Sequence, residues 1–234
     1  GEKRAYGDDL CRPAFAVMDP ALTLTLPEYQ TSSGIADILM HMMERYFNQS
    51  ENMAVTDAVS EALMRTVMRY ERVLMHDPQD LKARAEIMWA GSLSHNNLTG
   101  LGGKKDFSVH QFGQAIGEKF DIYHGETLSA MWASYARYVA PTNFARFARY
   151  ARNVWGVEEA DDEKAAMAGI DATEAYFKRL GMPVRIAELS CGVQDEAGLY
   201  DLALRCSRNR GRTIGSFRVL DFEDMLNVYQ MANK

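Results

Sequence analysis

From Glu28 onward the apolar residues fall on helical spacing. Ile35, Ile38, Leu39, Met42, Met43 and Tyr46 recur every three or four positions and predict a helix from Glu28 to about Asn48. Val59, Leu63, Val67 and Tyr70 predict a second helix over 56–74, stopped by Asp77-Pro78. Further helices are predicted over 80–97, 107–119, 125–139, 142–153, 161–180, 194–206 and 222–233, with Met167, Ile170, Phe177 and Leu180 as the apolar stripe of 161–180. The connections carry Gly100-Leu101-Gly102-Gly103, Pro141, Gly156, Gly181 to Pro183 and Gly211 to Gly215. No repeat or low-complexity segment interrupts them, so 28–234 reads as one all-α domain of eight or nine helices.

Residues 1–27 read differently. Pro13 to Met18 is a short apolar run closed by Asp19-Pro20, the pattern of a buried strand ended by a turn, and Leu22 to Leu26 reads as irregular or extended. A lone strand cannot satisfy its own hydrogen-bonding groups, so its partners are expected outside this sequence or in another copy. The chain also opens on glycine with no helix or strand signal, which gives the expectation that something upstream is missing.

Composition narrows the function classes. A formal net charge of -6 provides no basic surface for nucleic acid or anionic lipid, and the only basic run, 205–212, is short. The three cysteines, Cys11, Cys191 and Cys206, are far apart and form no CxxC pair, which points to a reduced, cytoplasmic chain without a disulfide framework. No apolar stretch approaches the length of a membrane span. The 14 methionines, several beside the predicted first helix, read as core filling. Trp89, Trp132 and Trp155 also read as core residues, and His76, beside Asp77-Pro78, as a surface residue. The acidic run 158–163 reads as a solvated helix start.

The candidate chemistry lies in the histidines. Asp37 and His41 are four residues apart on one helix, so their side chains share a face and can close on one cation. His110 and His124 sit fourteen residues apart around a predicted helix and turn, which can bring both rings to one point. One carboxylate and three imidazoles suit Fe2+ or Zn2+, with positions left for water or substrate, whereas Ca2+ and Mg2+ prefer oxygen throughout. On spacing alone the alternatives stay open: a surface Asp–His link, and core histidines bonded to carbonyls.

Longer strings carry a resemblance. Phe15-Ala16-Val17-Met18-Asp19-Pro20, Thr25-Leu26-Pro27 and the run from Gly34 to Tyr46 resemble the iron-containing alcohol dehydrogenases, in their butanol dehydrogenase and broad-range aldehyde reductase branch. The segment from Asp106 to Gly117, continuing to His124-Gly125-Glu126-Thr127-Leu128, is similar to that family's second metal segment. Arg212 to Phe217 and Glu223 to Leu226 are similar to its C-terminal ending, so the likeness runs along essentially the whole chain.

The resemblance implies a mainly α, metal-binding C-terminal domain of the dehydroquinate synthase-like or iron alcohol dehydrogenase fold over 28–234. Residues 1–27 would then be the last strand and connection of a nucleotide-binding domain. It implies Asp37, His41, His110 and His124 as ligands of one Fe2+ or Zn2+, and reversible hydride transfer between NAD(P)H and a primary alcohol or aldehyde. It places Lys3, Leu22, Thr25 and Leu26 beside the cofactor, although the residues alone read as a surface lysine and packing leucines. Gln114 stands where many relatives have a second histidine near the nicotinamide, and glutamine cannot carry a proton at neutral pH. His95 is a further cleft candidate, with a helix-end or supporting role as its plainer reading, and Phe107 and Phe112 are candidate pocket walls. The family's Gly-rich phosphate loop does not occur, because Gly100 to Gly103 lies between predicted helices and follows no strand. A homodimer is implied, and the chain alone is expected to be inactive. Two other readings remain: a metal-dependent dehydroquinate synthase-like lyase, and a helical metal-binding fragment with no enzymatic role.

Overall fold

The computed structural model describes residues 8–234, and nine α-helices occur among them. They are α1 (Glu28–Tyr46), α2 (Ala54–His76), α3 (Leu81–His95), α4 (Ser108–Phe120), α5 (His124–Val139), α6 (Phe144–Tyr150), α7 (Asp162–Arg179), α8 (Glu196–Cys206) and α9 (Phe222–Ala232). The predicted helix over 142–153 is divided: α6 passes into a π-helical turn, Ala151–Trp155, ended by Gly156 in the left-handed region. Several starts follow from local chemistry. Asp80, Asp161, Asp195 and Asp221 each accept a backbone N–H from the first turn of α3, α7, α8 and α9. The end of the acidic run 158–163 is therefore the start of α7, with Asp161 as cap and Asp162 and Glu163 in the first turn, while 158–160 lead into it.

Helices α1 and α5 form the centre. Ile35, Ala36, Leu39, Met40, Met42, Met43 and Tyr46 of α1 are buried, as are Leu128, Met131, Trp132, Tyr135, Ala136 and Val139 of α5. α2 and α3 pack on α1; α4, α7 and α9 pack on α5; α8 lies against α4 and α9. Beyond α1, Phe47 stacks on Phe147 with ring centroids 4.3 Å apart and lies 5.3 Å from Trp132. These aromatics weld the C-terminal end of α1 to α5 and α6, which holds the rest of α1 at a fixed height beside α4.

The buried face of α2 departs from the predicted stripe. Val59, Leu63 and Tyr70 are only half-buried, whereas Asp57, Glu61 and Glu71 are buried beside Met64, Val67 and Leu74. The acids are inside because arginines from distant helices meet them. Arg146 grips Asp57 with two bonds of 2.6 Å, Arg149 bonds Glu61 at 2.9 Å, and Arg179 bonds Glu71 at 3.1 and 3.2 Å.

Other expectations are corrected. Pro13 to Met18 forms no strand, and Phe15 and Val17 are exposed, since no other strand among the described residues could pair with it. Of the two forms expected for Leu22 to Leu26 the irregular one is found: its start lies in a 3-10 turn, Pro20–Thr23, capped by Asp19, and turns follow at Leu24 and Thr25. Trp89 is 51% exposed, while Trp132 is fully buried and Trp155 half-buried against the core. Leu22 is exposed and not a packing residue. No described helix is long and apolar enough to cross a membrane.

Candidate metal centre

Asp37 and His41 project from one face of α1, toward the first turns of α4 and α5. His110 is the third residue of α4 and His124 the first of α5. α5 reaches α1 through Gly125, where an added Cβ would lie 2.3 Å from the Ser33 carbonyl oxygen. Only glycine permits that approach, and it brings the neighbouring His124 over Asp37.

The four side chains converge. Asp37 Oδ1 lies 3.6 Å from His41 Nε2, 3.5 Å from His110 Nε2 and 3.5 Å from His124 Nε2. His41 Nε2 and His110 Nε2 are 3.2 Å apart. A tetrahedral site with metal–ligand bonds of about 2.1 Å has ligand–ligand edges of about 3.4 Å, so these four separations match four of the six edges of such a site. Asp37 Oδ1 is buried with no hydrogen-bond partner, a costly state for a carboxylate oxygen unless a cation meets it. The donor set and its spacing therefore fit Fe2+ or Zn2+.

The surroundings set the protonation of these groups. Burial pushes the Asp37 carboxyl up, but His110, His95, His41 and His124 around it more than offset this and hold it well below the usual range. Burial first, and the His110 charge second, lower His41 to about 3, so its ring is neutral. Burial alone would lower His110; the charge of Glu44 and the facing Asp37 carboxylate raise it to about 9. Arg45 Nη1 donates to His41 Nδ1 at 3.0 Å and to the His41 carbonyl oxygen at 2.7 Å. Ligation through Nε2 needs the hydrogen on Nδ1. Arg45 must then keep only its carbonyl bond.

The remaining candidates are placed as follows. His95, at the end of α3, puts Nε2 3.5 Å from Asp37 Oδ2 and stacks on His41 with centroids 3.8 Å apart, while Nδ1 bonds the Gly91 carbonyl oxygen at 2.9 Å. It sits at the rim of the centre and forms a second possible ligand triad with Asp37 and His41. Phe107, with left-handed backbone just before α4, sets its ring 5.6 Å from His41 and 5.1 Å from His110. Phe112 is no pocket wall: it is fully buried against Tyr229. Gln114 is half-buried, one turn beyond His110. His76 is an exposed residue at the end of α2. Lys3 lies outside the described residues. Leu22, Thr25 and Leu26 precede α1, and Leu26 lines an apolar groove of about 280 Å³ with Ile35, Ile38, Leu74 and Ile87.

Two buried carboxylates around the centre escape a reading of the sequence. Glu44 contacts His110 directly. Asp106 accepts from Ser216 N at 2.7 Å, Phe217 N at 2.8 Å and the Tyr135 hydroxyl at 2.5 Å. It thus ties the 213–217 loop to the start of α4. Glu44 had a signal, since Asp37, His41 and Glu44 follow i, i+4, i+7 spacing on one helix face. Asp106 had none, because the loop N–H groups of Ser216 and Phe217 and the Tyr135 hydroxyl that meet it lie far away in sequence.

An all-helical domain in which one carboxylate faces three imidazoles defines a class: a helical domain with a candidate site for a divalent cation. The chain belongs to the Fe-containing alcohol dehydrogenase family, whose C-terminal region matches residues 31–233. It is 36% identical over 233 residues to the NADH-dependent butanol dehydrogenase A of Clostridium acetobutylicum, covering 99% of this chain and 59% of that protein. It is 29% identical over 188 residues to the NADPH-dependent aldehyde reductase YqhD of Escherichia coli, covering 80% of this chain and 49% of that protein. The crystal structure of E. coli YqhD superposes with a TM-score of 0.91 at 25% identity, over 97% of this chain and 57% of that one. The chain thus spans about half to three-fifths of the length of these relatives.

Proposed function

We propose that this chain supplies the cation-holding half of an NAD(P)H-dependent alcohol dehydrogenase or aldehyde reductase, with Asp37, His41, His110 and His124 as ligands of Fe2+ or Zn2+. The observation that carries this reading is the clustering of three imidazole nitrogens at 3.5–3.6 Å around an unpartnered buried carboxylate oxygen, two of them 3.2 Å apart. A bound divalent cation supplies Lewis-acid polarisation of the alcohol or aldehyde oxygen. The chain's own residues do the rest of the local work. Asp37 brings the negative charge, and His41, held by Arg45, stays neutral. Phe107 walls the centre on the α4 side, and His95 and Gln114 flank it. Leu22, Thr25 and Leu26, with Lys3, are the cofactor-side contacts in this reading, the substrate is a small primary alcohol or aldehyde, and the assembly is a homodimer.

Hydride transfer also needs a dinucleotide cradle. The Gly-rich loop that supplies one is absent from the sequence, and no sheet occurs among the described residues. The 234-residue chain loaded with Zn2+ or Fe2+ is therefore expected to bind metal yet leave NADH and NADPH unoxidised in the presence of butanal. Steady aldehyde reduction by the purified chain alone would refute this division of labour.

A pH signature follows from His110. Its pKa in the metal-free protein, about 9, lies above the ordinary value of 6.5. Its protonated form therefore contributes stability that is complete below about 6.5 and is lost as pH rises through 9. The cation must displace that same proton, so metal affinity runs the opposite way, rising up to about tenfold per pH unit until 9. Thermal melts of the metal-free protein and zinc titrations across pH 6 to 9 are expected to show opposite slopes; parallel slopes would exclude His110 as the coupled group.

A further inference from the structure

We infer that Glu44 is the positioning residue of the centre, fixing in one contact set the helix start that carries His110 and the tautomer in which His110 ligates. This rests on the metal-centre reading above and assigns a residue outside the ligand set. Glu44 is on α1, 1% exposed, seven residues after Asp37 and three after His41, on the same helix face. Its carboxylate does two things. Oε1 accepts the backbone N–H of Val109 at 2.6 Å and of His110 at 3.2 Å. These are the second and third residues of α4, whose N-cap, Phe107, offers no side-chain oxygen, so the groups that a capping residue normally satisfies are met from another helix. Oε2 contacts Nδ1 of the same His110. The Glu44 carbonyl oxygen adds a bond from Asp106 N at 2.9 Å, fastening the approach to α4 as well.

The consequence is chemical as well as mechanical. A carboxylate beside Nδ1 accepts its hydrogen, which leaves the Nε2 lone pair directed at Asp37 Oδ1, 3.5 Å away, and at His41 Nε2, 3.2 Å away. One helix therefore supplies two ligands and the group that orients a third.

Glu44→Gln keeps the shape but has a single oxygen, which cannot serve both the backbone N–H pair and Nδ1–H. Its NH2 must then face one of those donors or turn His110 to the opposite tautomer, with the hydrogen on Nε2. In a chelator-competition titration its zinc dissociation constant is expected to rise about 10- to 100-fold over the unchanged protein. In the unchanged, zinc-loaded protein with 15N-labelled histidines, long-range 1H–15N correlations are expected to show His110 protonated at Nδ1 and ligating through Nε2. Circular dichroism checks that the variant is folded; if it is not, the spectrum of the unchanged protein decides alone. A folded Gln variant binding zinc within twofold of the unchanged protein overturns the inference, as does a His110 ligating through Nδ1. An unchanged protein that binds no zinc overturns it together with the functional reading. Zinc bound equally by both proteins overturns this inference and leaves that reading standing.

Discussion

Asp37→Asn is expected to abolish the thermal stabilisation that zinc confers. Ligand present at about a thousandfold over its dissociation constant adds about 4 kcal/mol. For a chain of this size that corresponds to roughly 8–16 °C in melting temperature. The asparagine keeps the side chain's shape but removes the charge at the atom facing all three imidazoles, Oδ1, which has no hydrogen-bond partner of its own. The loss in affinity should exceed the 10- to 100-fold typical of groups that only support a ligand. Differential scanning calorimetry with and without zinc reads this directly. An Asn variant that melts as much higher with zinc as the unchanged protein does would remove Asp37 from the site.

The second large effect belongs to the scaffold. Arg146→Met is expected to lower stability by about 3–5 kcal/mol, because it strips the buried Asp57 carboxylate of both short bonds and leaves it only the Arg149 contact at 3.3 Å. Arg146 makes two bonds to Asp57 at 2.6 Å and donates through Nε to the Tyr46 carbonyl oxygen at 3.0 Å. Its guanidinium also lies 4.0 Å from the centre of the Tyr46 ring. The Tyr46 carbonyl belongs to the last residue of α1, where helix carbonyls lack intrahelical partners. The same arginine thus closes α1 and joins it to α2 and α6. The expected fall in melting temperature is about 6–20 °C, while zinc affinity of the folded variant, measured well below its melting point, stays within a few-fold. A large drop in affinity at full foldedness would mean that the end of α1 tunes the centre directly.

These two variants separate what the sequence makes legible from what it hides. The helices follow from short-range apolar periodicity, and the nine predicted segments correspond to α1–α9 with ends shifted by a few residues. Asp37 and His41 are legible because a four-residue spacing fixes a shared helix face. His110 and His124 are legible because a helix followed by a short link brings its flanking residues near each other. The polar interior is another matter. Asp57, Glu61 and Glu71 look like the solvated face of α2, and the arginines that draw them inward, Arg146, Arg149 and Arg179, lie on α6 and α7. Nothing local signals that pairing, so the predicted stripe of α2 is rotated away from the observed one. Glu44 carries only a faint signal, its shared helix face with Asp37 and His41, because an acid beside an arginine on a helix reads as surface until α4 is laid against it. Pro13 to Met18 carries a strand's composition, but composition cannot form a ladder without a neighbour.

The convergence on Asp37 is tested most directly by crystals grown with zinc, and separately with ferrous iron, measured on both sides of each absorption edge. One anomalous peak is expected about 2.1 Å from Asp37 Oδ1 and from Nε2 of His41, His110 and His124. A peak elsewhere, or none in crystals of protein saturated with metal, would contradict the ligand set.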